Sequence, residues 1–175
     1  MANLVAALGI AVSAITATSF YVASQRAARR ARMAQLFAEA LLAVSNFQNY
    51  PFLVGRRSVG DARGELVKVG ASVHALLDYH ADLIRLEAAA VEPYFDAVVE
   101  AARREFSPHG RAAWEMPPIE FDTDMNRGLG SIFTDDETKA AIKRCVEAMR
   151  AELRHRPPVI ANSSVGDSTA SLGAR

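Results

Sequence analysis

The chain is poor in the residues that would announce a chemistry. It has one cysteine, Cys145, in 175 residues, which excludes an intramolecular disulfide framework and any multi-cysteine zinc site. It has no net charge, twenty Lys+Arg facing twenty Asp+Glu, so bulk charge gives no sign of a nucleic-acid binder. Seven prolines and ten glycines are too few for collagen-like or wholly disordered sequence. One tryptophan, Trp114, and three lysines complete the scarcities. The length suits one domain with an appendage and is short for two ordinary domains.

What is present is unevenly placed. From Met1 to Gln25 there is no charged side chain. From Arg26 to Arg57 six arginines (26, 29, 30, 32, 56 and 57) face the single acid Glu39, a net of +5. From Ser58 onward 14 basic residues face 19 acidic ones, a net of −5. The apolar residues Leu4, Val5, Leu8, Ile10, Val12, Ile15, Phe20, Tyr21 and Val22 stand among Ala, Ser and Thr. A helix over 2–24 would be ~35 Å long, enough for a hydrocarbon core of ~30 Å. No basic residue precedes it, as a signal peptide would require, and arginines follow it directly. The expectation is a retained transmembrane anchor with the N-terminus outside and the body cytoplasmic. Its partner would be the anionic headgroups of the bilayer, at Arg26, Arg29, Arg30 and Arg32. Lipid is the simpler account of that cluster than nucleic acid. Gly9, Ser13 and Ala17 have the small-xxx-small spacing of associating spans, a spacing that alanine-rich sequence also gives by chance; a homo-oligomer stays open.

The remainder predicts an all-α fold, the first helix continuing into a small antiparallel bundle. Leu36, Phe37, Ala40, Leu41, Val44 and Phe47 recur at helical spacing over a basic segment, 25–50, which Pro51 ends. A helical domain over 61–156 follows. Its second helix runs from about Asp61 to Ala90 with Leu66, Val69, Val73, Leu76, Leu77, Leu83 and Ile84 as its stripe. A third starts at Pro93, carries Tyr94, Phe95, Val98, Val99, Ala102 and Phe106, and ends near Ser107-Pro108. A short turn holds Trp114, read as buried between helices. Residues 119–133 are irregular. Thr134-Asp135-Asp136-Glu137 has the form of a capping box for a fourth helix lined by Ile142, Cys145, Val146, Met149 and Leu153. Pro157-Pro158 stops it, and the tail 157–175 is compositionally disordered.

Candidates for chemistry are few. His74, Asp78 and Asp82 share a row on the second helix, with His80 rotated away. A metal would need further ligands, for which His109 is one source. The plainer account is a polar helix face with an i,i+4 His–Asp pair. Cys145 sits among apolar residues as a small hydrophobe rather than a nucleophile. Gly128-Leu129-Gly130-Ser131 lacks the lysine of a phosphate loop. Glu120, Asp122 and Asp124, with Asp135 and Asp136, lack the spacing of a calcium loop. No catalytic, cofactor-binding or metal residue is assigned.

Arg32–Pro51, Leu86-Glu87, Tyr94–Arg104, Trp114 and Cys145–Leu153 together resemble a set of small Arg/Ala-rich actinobacterial proteins with one N-terminal span. Similar proteins occur in phages of those hosts. Seventeen arginines to three lysines, with thirty-three alanines, suit a GC-rich genome. The resemblance brings no catalytic residue with it. The expected function is therefore a non-enzymatic interaction or regulatory protein at the inner face of a bacterial membrane. One alternative is a metal-dependent enzyme using His74, Asp78 and His80, or the Asp122/Asp124 loop. The other is a phage-encoded exclusion or defence protein at the host membrane.

Overall fold

In the computed structural model, residues 2–120 and 136–154 are described, with side chains from Ser19 onward. Four helices make up the fold: α1 (Ala2–Gly55), α2 (Arg63–Glu87), α3 (Glu92–Glu115) and α4 (Asp136–Arg154). Among the described residues the only β-structure is an isolated parallel bridge between Ser58 and Ile119. The all-helical expectation holds, and bundle packing accounts for the buried residues.

The membrane expectation is corrected. Among the described residues no helix is long and apolar enough to cross a membrane. The segment 2–24 is rich in Ala, Ser and Thr, residues that contribute little to partitioning into hydrocarbon. The placement of a single-pass protein with its N-terminus outside falls with it, and the lipid contact expected of Arg26, Arg29, Arg30 and Arg32 loses its premise. What α1 shows instead is one unbroken helix uniting 2–24 with 25–50. Its described arm, from Ser19 to Arg32, is almost wholly exposed, and burial begins at Met33.

From Met33 the stripe 33, 36, 37, 40, 43, 44 and 47 is buried, the i, i+3, i+4 recurrence of a helix with one face in a core. It meets Leu77 and Ile84 of α2 and Phe95, Val98, Val99, Ala102 and Phe106 of α3, with Ala141, Cys145 and Met149 of α4 closing the cluster. α1 packs against both α2 and α3, and α4 lies mainly on α3. α2 runs antiparallel to α1: Arg32 reaches Glu87 at 2.6 Å near one end, and the Tyr50 hydroxyl donates to the Leu66 carbonyl at 3.1 Å near the other. At that crossing Gly70 is buried, and a Cβ there would lie 2.6 Å from Cζ of Tyr50. A glycine that costs about 1 kcal/mol in a helix is retained because the tyrosine ring occupies the space.

Two proline stops are overridden. α1 runs through Pro51 to Gly55, the Pro51 ring being fully buried. α3 runs through Pro108 to Glu115, so the separate turn predicted for Trp114 is the last turn of α3. A proline removes one hydrogen bond and strains one turn, and tertiary packing on both sides outweighs that local preference. Pro93 sits in the first turn of α3 as expected. At the start of α4, Thr134 and Asp135 lie outside the described residues. The cap that is seen comes from another helix: the Glu105 carboxylate accepts from the backbone N–H of Glu137 at 2.9 Å, from that of Thr138 at 3.1 Å, and from the Thr138 hydroxyl. The Glu137 carboxylate pairs with Arg104 of α3. The irregular segment from 121 and the tail from 155 lie outside the described residues.

Candidate interaction surface

α2 carries two apolar rows. One, Gly70, Leu77 and Ile84 with the imidazole of His80, is buried against the bundle. The other is one residue earlier in register, Val69, Leu76, Tyr79, Leu83 and Leu86. Val69 and Leu76 stay exposed, Tyr79 is 57% and Leu86 81% exposed, and Leu83 is partly buried at the core's edge. With Ser72 these positions space 3-4-3-4-3, the recurrence of a heptad seam. The row borders α1, because Leu83 shares a shallow groove with Arg32, Gln35, Leu36, Glu39 and Glu87. On α1, Leu42 is 58% exposed. The second row is left largely uncovered by the bundle, and contiguous exposed apolar area of this kind marks association surfaces.

The sequence showed part of this face and mislabelled it. Periodicity alone joins Val69, Leu76 and Leu83 to Leu77 and Ile84 in a single stripe and leaves out Tyr79, Leu86 and Leu42. The signal available was the second 3-4 recurrence offset by one residue.

The residues singled out for chemistry do not converge. Asp78 is engaged by Arg103. Asp82 pairs with Arg85 at 2.9 Å, and Arg85 also reaches Glu92 at 2.9 Å. That hydrogen bond donated to Glu92, with the charges of Asp96, Glu92 and Asp82, holds the Arg85 guanidinium above its ordinary pKa against a smaller desolvation effect. His74 is exposed and stands edge-on to Phe47 with ring centroids 5.0 Å apart. His80 is buried, with Nδ1 unpartnered. Among the described residues no three His, Cys, Asp or Glu side chains are grouped to hold a metal. Asp122, Asp124 and Gly128 to Ser131 lie outside them. Cys145 is fully buried, and burial pushes its thiol up to about 11, the opposite of what a nucleophile needs.

Trp114 is half-buried, not enclosed between helices. The guanidinium carbons of Arg57 and Arg63 lie 5.3 Å and 5.5 Å from its ring centroid. Arg57 donates to the carbonyls of Val54 at 2.9 Å, Ala113 at 2.8 Å and Trp114 at 3.1 Å, and to that of Met116. The C-terminal ends of α1 and α3 thus meet on one guanidinium, whose charge opposes the negative ends of both helix dipoles. This is a structural clasp whose donors are spent inside the molecule.

No protein-family model matches the chain, and neither the curated proteins nor the solved structures include a match.

Proposed function

We propose that the chain is a helical interaction protein, acting by packing its open α1–α2 face against another helical surface and not by making or breaking bonds. The observation that carries this is the second apolar row of α2, with Leu86 and Tyr79 more than half exposed beside a core that is already filled. Two features support it from the side of chemistry. Asp78 and Asp82 are engaged by arginines of the same molecule, and the Cys145 thiol is held neutral by burial.

Cysteine accessibility tests the proposal. Leu86→Cys replaces an exposed side chain, and native Cys145 stays buried, so a maleimide reads position 86 alone. In dilute purified protein Leu86→Cys should label as fast as Lys143→Cys, a control on the exposed face of α4. In intact expressing cells position 86 should label at least several-fold more slowly than position 143. Equal labelling of the two positions in cells would sink the proposal.

A further inference from the structure

We infer that the occupant of the α2 row is a second copy of this chain, its α2 lying antiparallel across a two-fold axis between Leu76 and Tyr79. The inference rests on the interaction reading above and names its partner.

Three observations lead to it. The first is spacing. Positions 69, 72, 76, 79, 83 and 86 are symmetric about their midpoint, so a two-fold axis there sets Val69 against Leu86 of the partner copy, Ser72 against Leu83, and Leu76 against Tyr79. Each layer then joins a smaller side chain to a larger one, which lets the two seams interdigitate. An interface in which one patch meets itself is the isologous arrangement of most homodimers.

The second is charge. The same recurrence extended backward by one step reaches Glu65, which is exposed and holds Lys68 at 2.8 Å. A parallel pairing in register would place Glu65 against its own copy and Asp82 beside Glu87 of the copy, both like-charge contacts. Antiparallel pairing carries Glu65 past the end of the opposing helix and removes both. The charges therefore select the direction of the pairing as well as permitting it.

The third is area. At their exposures, Val69, Leu76, Tyr79 and Leu86, with Leu42, leave on the order of 500 Å² of mostly apolar surface per chain; their polar surround brings the patch toward the ~800 Å² per partner of a stable interface. α1, antiparallel to α2 and flanking the row, would make the assembly a four-helix face with Leu42 at its margin.

The test uses the full chain. Sedimentation equilibrium from 1 to 200 μM should give a dimer. Leu86→Arg and Tyr79→Arg should each weaken dimerisation at least tenfold with the helical circular dichroism unchanged, because both side chains are largely exposed in the monomer. Direction is read separately, by a spin label on Lys68→Cys, which flanks the row without belonging to it. At 1.5 Å per residue the two labels should stand about 29 Å apart along the axis in the antiparallel pair and adjacent in a parallel one. A chain that stays monomeric at 200 μM, or a Leu86→Arg dimer as tight as the wild type, overturns the inference, and a label separation under about 15 Å overturns the direction. A monomeric chain whose position 86 is nevertheless protected in cells discards the second copy and leaves the interaction reading standing.

Discussion

Cys145 lies wholly inside the cluster that joins α4 to α3, and the low polarity there disfavours its thiolate. Its pKa is pushed from an ordinary 9.0 to about 11. The sign follows from which state binds more protons. Below pH 9 the thiol is neutral in both states and nothing changes. Between pH 9 and pH 11 the unfolded chain releases the proton and the folded one keeps it, so stability falls as pH rises. At about 1.4 kcal/mol per unit, roughly 2–3 kcal/mol is lost over that interval. Urea titrations of the wild type and Cys145→Ala at pH 8, 9, 10 and 11 should show the alanine variant less stable at pH 8 and the gap closing by pH 11. Parallel pH profiles for the two proteins would refute this account of the thiol.

Elements add constraints that single residues do not show. Pro51 and Pro108 both sit inside helices, yet their surroundings differ: Pro51 is fully buried and Pro108 exposed. An exposed helical proline makes no packing contribution to set against its missing N–H, so Pro108→Ala should stabilise the protein by about 1–3 kcal/mol, read as a higher urea midpoint with unchanged slope. A lower midpoint would mean that the proline is required where it stands. The same two prolines mark where sequence reasoning stops. The stripe from Leu36 to Phe47 and the row from Phe95 to Phe106 were legible because their periodicity repeats over several turns, and most of both rows is buried. The helix ends expected before Pro51 and near Ser107-Pro108 are overrun, because local backbone preference is the only signal in the sequence there and packing by distant residues overrules it. The cap on Thr138 was invisible for the same reason, since Glu105 lies far from it in sequence. The candidate surface was half legible: Val69, Leu76 and Leu83 were recognised as apolar, but periodicity reports only that a row has a face. Whether that face meets the core depends on how much area the other helices supply.

At the scale of the molecule, charges are arranged for the surface and not for the core. The ion pairs among the described residues, from Arg32–Glu87 to Arg104–Glu137, join side chains that keep about a third or more of their area exposed, and such pairs contribute at most about 1 kcal/mol each. Arg57 differs, because its partners are backbone carbonyls at the convergence of two helix ends. Lysine has one charged nitrogen and cannot span those acceptors as the planar fork does. Arg57→Lys should therefore destabilise the fold by about 2–4 kcal/mol by urea unfolding, and a loss below 0.5 kcal/mol would show the contacts to be incidental. The Arg57 carbonyl in turn accepts from the Ile119 N–H at 2.8 Å, so backbone and side chain of one residue hold both the start and the finish of the α2–α3 hairpin. Topologically, residues 57–119 form a noose drawn shut at a single knotting point. Closing the loop at its base ties the entry to α2 and the exit from α3 to one residue, so removing the Arg57 guanidinium would loosen both ends of the segment together.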